Sequence, residues 1–195
     1  MEPTRLPSLA GKDFLSLADL TKEEFAGLIA SAIQLKVDWR RGVRPAPMQH
    51  KTLAMFFEKQ SLRTRTTFDV AMAQLGGHSV LLSQDYIGMG VRETVRDVAN
   101  NLSRWVDGIM ARTYEHGKLL DLAEHATVPV INGLSDYLHP CQLVADYISL
   151  TETFGSLAGL KLTYVGDGNN VANSHVNAAA LAGVHLTVAR PPGYE

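Results

Sequence analysis

Short apolar runs alternate with helix-period stretches along almost the whole chain, and this alternation restricts the fold more than any other feature. "TLAMFF", "HSVLL", "GIMAR", "VPVI", "LKLTYV" and "HLTVA" are each four to six residues long and rich in β-branched or large apolar side chains. Between them lie patterns that read as helices: from about Ser61 to Leu75, near Thr94 to Trp105, over "KLLDLAEHA", from Pro140 to about Phe154, and near Asn170 to Leu181. An earlier helix opens at Thr21 with Glu24 three residues on, a capping box, and places Phe25, Leu28, Ile29 and Ala32 on one face. Strand, helix, strand at this spacing predicts an α/β fold with a mainly parallel sheet and helices on both faces.

"FGSLAG" divides the pattern near Phe154 to Gly159, which predicts one domain over residues 1–154 and the beginning of a second, Rossmann-like α/β domain over 155–195. The last βαβ unit is too short to bury a core of its own, so it either packs on the first domain or belongs to a larger second domain that the chain does not complete. Of the 195 residues, 46% are hydrophobic and 19% charged, with a formal net charge of -2. That balance speaks against nucleic-acid or anionic-membrane partners, which need a basic surface. There is no run of about 18 apolar residues and no targeting pattern at the start, so the expected location is cytoplasmic. One cysteine, Cys141, excludes an internal disulfide and a cysteine metal site.

In open parallel sheets, ligands bind beyond the carboxyl ends of strands, and polar clusters follow five of the apolar runs here. "EKQSLRTR" is the densest. Ser61 suits an N-cap, and the free N–H groups of Leu62 and its successors form an anion site with the positive helix end. Arg63 adds a bidentate fork and Thr64 a hydroxyl, a set matched to a phosphate dianion. A capped helix with surface arginines accounts for the stretch equally well. Arg65 points away from Arg63 on a helix, and its distance from Phe68 and Met72 predicts a partly buried guanidinium paired with a carboxylate, Glu58 being the candidate. In "HPCQ", Pro140 fits the first helical turn, which puts His139 at the N-cap and Gln142 near the open N–H groups. The positive helix end disfavours an imidazolium, so His139 is suited to be a neutral donor to a carbonyl oxygen. Arg112, ending "GIMAR", can reach the same oxygen, a phosphate, or a surface carboxylate. His50, His78, His116, His125, His175 and His185 read as surface or structural residues.

"GDGNN" follows a strand and opens a helix, but Val171 stands where a dinucleotide fingerprint has its third glycine, and no acidic residue ends the next strand before Glu195. A nucleotide-binding Rossmann-like domain is therefore a remote alternative. Taken in order, "FEKQSLRTRTTFDVAMAQLGG", "ARTYEH", "HPCQ" and "YVGDGNN" resemble the ornithine carbamoyltransferase family over essentially the whole chain. The resemblance implies transfer of the carbamoyl group of carbamoyl phosphate to the δ-amine of L-ornithine, with no metal or organic cofactor. By the same resemblance Ser61, Leu62, Arg63 and Thr64 hold the phosphate, Arg112, His139 and Gln142 bind the carbamoyl end, and Asn170 touches the amino acid. It further implies a trimer-based homo-oligomer in which a neighbouring subunit's loop enters the site. Gln84, Gly88 and Arg92 are the candidates in that loop, since "GVRE" departs from the family's Gly-Arg-Gly-Glu pattern. The family's later ornithine-binding segments do not occur before Glu195, which leads us to expect little turnover by the 195 residues alone. A non-catalytic carbamoyl-phosphate-binding or assembly module is the alternative reading.

Overall fold

The computed structural model describes residues 6–194; the Glu195 considered above lies outside them, as do the first five residues of the 1–154 unit. Helix α1 (Lys22–Arg40) begins with the predicted reciprocal capping box: the Thr21 hydroxyl accepts from the Glu24 N–H and the Glu24 carboxylate accepts from the Thr21 N–H. The main sheet contains β1 (Thr52–Phe57), β2 (His78–Ser83), β3 (Gly108–Arg112) and β4 (Val130–Leu134) in the order β2-β1-β3-β4, all parallel. Its connections run through α2 (Leu62–Gln74), then the short α3 (Gln84–Ile87) with α4 (Val95–Leu102), and then α5 (His116–His125). Helix α6 (Pro140–Phe154) leads to a second parallel pair, β5 (Lys161–Val165) and β6 (His185–Ala189), joined by α7 (Asn170–Ala182).

Both faces of the four-stranded sheet are covered, which is why its central strands are continuous apolar runs rather than alternating ones. Ala54, Phe56, Ile109 and Ala111 pack against Val95, Val98, Leu119 and Leu122 on one face. Leu53, Met55, Phe57 and Met110 meet Met72 on the other, with Phe68 beside them. A third cluster joins Phe25 and Ile29 of α1 to Leu143 and Tyr147 of α6 and to Ala178 and Ala179 of α7. The second α/β unit thus rests on helices that belong to the first.

Two local differences from the sequence reading affect the site. The strand expected at "VPVI" starts after Pro129, which has no N–H to give the ladder, and runs on to Leu134. Near its end Ala111 pairs with Asn132 but Arg112 with Leu134, leaving Gly133 as an extra residue. A Cβ at Gly133 would sit 2.5 Å from Met110 Sδ and 3.3 Å from Ala111 O, so the bulge depends on glycine. The polar "SQDY" that follows "HSVLL" divides: Ser83 ends β2, while Gln84–Ile87 form the short α3, which closes on Gly88 in the left-handed region at φ 64°.

Candidate functional site

β1 lies between β2 on one side and β3 on the other, and the connections leaving β1 and β3 diverge at that point. Such a switch point opens a crevice beyond the carboxyl ends of the strands. A cavity of about 620 Å³ occupies it, bordered by Ser61, Arg63 and Thr64 from the start of α2, Arg112 from the end of β3, and His139 and Gln142 from the start of α6. Six of the seven residues expected at the carbamoyl-phosphate site therefore meet in one place. The Leu62 side chain does not; it is 80% exposed and borders a neighbouring cavity instead. The role expected of Leu62 rests on its backbone N–H, which the side chain's direction leaves untouched.

The start of α2 forms as its residue types dictate. Ser61 is extended at φ -156° and ψ 121°, and its hydroxyl accepts from the Thr64 N–H at 3.2 Å. Arg112 Nη1 donates to Thr64 Oγ1 at 3.1 Å, linking the end of β3 to the first turn of α2. Burial and the neighbouring Arg63 charge both depress the Arg112 pKa. The charges of exposed Arg63 and partly buried Arg112 repel one another, a cost that an anion between them would relieve. Arg112 Nε is buried with no partner among the described residues, and the same is true of His139 Nδ1.

His139 stands at the N-cap of α6 with Pro140 at the first helical position, as its sequence predicts, but its side chain makes no capping hydrogen bond. The ring is left to the cavity. Burial first and then the Arg112 charge push its pKa down to about 4, so the imidazole is neutral near pH 7. Gln142, one turn into the helix, is exposed and donates to Asp146 Oδ1 at 2.9 Å. Cys141 also borders the cavity; burial pushes its thiol up to about 12, and it donates weakly to Asn132 O at 3.4 Å, which fits wall packing rather than nucleophilic chemistry.

The remaining candidates lie apart. Asn170 Nδ2 donates to Ser135 O at 2.7 Å, on the loop that leads to His139. Gln84 donates to Met89 O at 3.0 Å inside its own loop and borders the cavity beside Leu62. Gly88 is the turn that ends α3, and Arg92 is exposed with Glu93 at 3.4 Å. The expectation for Arg65 is corrected. Its side chain is exposed, while Glu58 forms an ion pair with Lys118 and accepts from the Tyr114 N–H at 2.8 Å. Phe68 and Met72 do face the core, but a long arginine stem can leave an apolar stripe for solvent when no carboxylate holds it.

Reasoning from sequence missed several wall residues. Thr67 lies one turn beyond Thr64 on α2, so helical spacing alone could have found it. Gly133 had no such signal, because a bulge is settled by the tertiary fold, and the same holds for Ser174, which does not line the cavity but accepts from the His139 N–H.

Comparison with known proteins bears on the family and the fold that carry these residues. Residues 12–152 match the family model described as aspartate/ornithine carbamoyltransferase, carbamoyl-P binding domain, and residues 158–195 match the one described as aspartate/ornithine carbamoyltransferase, Asp/Orn binding domain. The ornithine carbamoyltransferase of Deinococcus radiodurans is 54% identical over 188 residues, covering 96% of this chain and 60% of that protein. That of Anoxybacillus flavithermus is 52% identical, covering all of this chain and 62% of its own length. Among solved structures, ornithine carbamoyltransferase from Pyrococcus furiosus superposes with a TM-score of 0.94 at 49% identity, covering 96% of this chain and 60% of that one. The Thermus thermophilus enzyme gives 0.89 at 51% identity, covering 98% and 64%. The chain thus spans about three fifths of the length of these curated relatives. With both family models matched in order over most of its residues, the chain belongs to the aspartate/ornithine carbamoyltransferase family.

Proposed function

We propose that the cavity at the β1/β3 switch point binds carbamoyl phosphate, and that the protein serves transfer of its carbamoyl group to the δ-amine of L-ornithine. The observation that carries this reading is the convergence of Ser61, Arg63, Thr64, Arg112, His139 and Gln142 on one cavity. The capped start of α2 and the Arg63 fork suit the phosphate, with Thr64 and Arg112 beside it. Neutral His139 and Arg112 suit the carbonyl oxygen, as donors whose aim does not change while charge grows there. The δ-nitrogen attacks the carbamoyl carbon, a C–N bond forms, and the C–O bond to phosphate breaks with its electron pair leaving on phosphate. The amine loses a proton as citrulline forms. Holding both reactants in line supplies part of the rate.

We assign the carbamoyl-phosphate side to residues 1–154 and the start of the amino-acid side to 155–195, with Asn170 nearest the second substrate. The assembly we propose is a trimer-based homo-oligomer, located in the cytoplasm. Exposed Arg92 is better placed than Gln84 to meet a neighbouring subunit, because the Gln84 amide already serves its own loop. No helix among the described residues is long and apolar enough to cross a membrane.

The test is calorimetric titration of carbamoyl phosphate into the purified chain, with Arg63→Ala as control. Saturable binding that falls at least tenfold in the variant is expected. A folded chain that takes up no carbamoyl phosphate would overturn this assignment of the cavity. Measuring citrulline in the same preparation with ornithine added separates transfer from binding alone.

A further inference from the structure

His139 presents a positioning problem. Its side chain makes no capping bond, its ring Nδ1 has no partner among the described residues, and its backbone, at φ -137° and ψ 68°, is neither strand nor helix. An imidazole that must meet a small ligand oxygen needs its Cα fixed by something else. Pro140 keeps His139 out of the helical region but does not fix where its Cα sits in the cavity wall.

The fixing contact comes from the other α/β unit. His139 N donates to Ser174 Oγ at 2.8 Å, and Ser174 Oγ donates in turn to Asn170 O, one turn earlier in α7, at 2.8 Å. Ser174 is 1% exposed, so water does not compete for this contact. The same face of α7 holds the preceding loop at two more points. Asn170 Nδ2 donates to Ser135 O at 2.7 Å, and Asn173 Nδ2 donates to Tyr137 O at 3.1 Å. From Ser135 to His139 the backbone of the cavity wall is therefore pinned to the first turns of α7.

We infer that Ser174 is a positioning residue for His139, holding its backbone so that the ring meets the ligand in the switch-point cavity. The inference rests on the proposed role of His139 for its catalytic meaning, but the positioning itself does not. The serine hydroxyl is suited to the task because it accepts from the His139 N–H and donates to the Asn170 carbonyl at once; alanine can do neither. The contact also gives the amino-acid side a direct mechanical hold on a group of the carbamoyl-phosphate side. A shift of α7 moves the backbone that carries His139.

The experiment is an NMR titration of His139, assigned with His139→Asn, in the wild-type chain, Ser174→Ala and Ser174→Thr, each checked for native circular dichroism. Burial of the ring sets this titration first and the charge of Arg112 at the end of β3 second, while Arg63 on α2 borders the same cavity. In the wild type the imidazole should titrate near 4. In Ser174→Ala the freed backbone lets water reach the ring, and its pKa should move up toward the ordinary imidazole value of about 6.5. Threonine keeps the hydroxyl and should restore the low value. An unchanged His139 titration in folded Ser174→Ala would overturn the inference, and so would failure of threonine to restore it while alanine shifts it. Carbamoyl phosphate binding is measured on the same samples. Loss of binding in the wild type itself would sink the functional reading and leave the positioning result standing.

Discussion

Three histidines with depressed pKa values make the protein's response to acid predictable at single residues. For His139, His116 and His175 alike, burial is the leading cause. Asp136 and Asp19 pull His116 back up in part, and Asp146 does the same for His175. A base with a lower pKa folded than unfolded binds fewer protons in the native state, so stability rises with pH across the interval between the two values. Here that stability is complete above about pH 6.5, where unfolded imidazoles are neutral. It declines as pH falls, until the folded rings protonate, near 4 for His139. Asp107 is also depressed, by Lys51 and the Thr52 N–H, and its contribution is lost as pH falls from the ordinary carboxylate value of about 3.9 through the lower folded one, beneath most of the histidine window. The urea midpoint should therefore drop between pH 6.5 and 4, and His139→Asn should flatten that slope without reversing it. A midpoint that stays level across this interval would contradict the burial assigned to these rings.

At the scale of elements, the strand ends are tied to one another by contacts that sequence does not announce. Glu58 sits at the exit of β1 and brackets Arg112: its N–H donates to Arg112 O at 2.9 Å, and its carboxylate accepts from the Tyr114 N–H at 2.8 Å. Lys118 neutralises the carboxylate, with side-chain exposures of 11% for Glu58 and 19% for Lys118. Glu58→Gln leaves that lysine without its counter-charge in a largely buried place and should cost about 2–4 kcal/mol, measured by chemical denaturation. Because the same side chain holds the Tyr114 N–H, two residues beyond Arg112, its displacement should lower carbamoyl phosphate affinity along with stability. Stability lost with affinity intact would mean that Glu58 braces the fold without aligning the site.

The same elements explain what could be read in advance. Strand and helix positions were legible because apolar runs, the Thr21 box, the Ser61 cap and Pro140 are local signals, and α6 starts and ends where they place it. The convergence of Ser61, Arg63, Arg112 and His139 followed from parallel topology, once strand ends were known. Partner choice was not legible. Glu58 had Arg65 seven residues away as a plausible mate and took Lys118, 60 residues on, because α5 brings that lysine to the end of β1. The Gly133 bulge was hidden for a related reason: a glycine required by close packing looks, in sequence, like any other glycine.

For the molecule as a whole, the question is whether two sheets mean two independent folding units. The packing says they do not. Neither strand of the β5-α7-β6 unit has a buried residue, and its buried apolar contribution goes mainly through α7 into the cluster shared with α1 and α6. Phe25 and Tyr147 meet edge to face in that cluster with ring centroids 5.6 Å apart, and Ala178 and Ala179 pack into the same group. Hydrogen bonds donated by Asn170 and Asn173 to the loop before α6, and one that Ser174 accepts from His139, add a polar seam beside it. Units joined through one core lose their packing together, so unfolding should be a single transition by far-ultraviolet circular dichroism and by fluorescence of Trp39 and Trp105. Phe25→Ala removes a fully buried ring from the shared cluster and should cost about 3–5 kcal/mol. That cost should appear as one displaced transition with both probes still coincident. If the circular dichroism curve instead splits, with an early phase that leaves tryptophan fluorescence unchanged, then α7 and its two strands unfold apart from the four-stranded sheet. The grip of α7 on the His139 loop would then be lost before the main sheet melts, and carbamoyl phosphate binding should fail at that first phase.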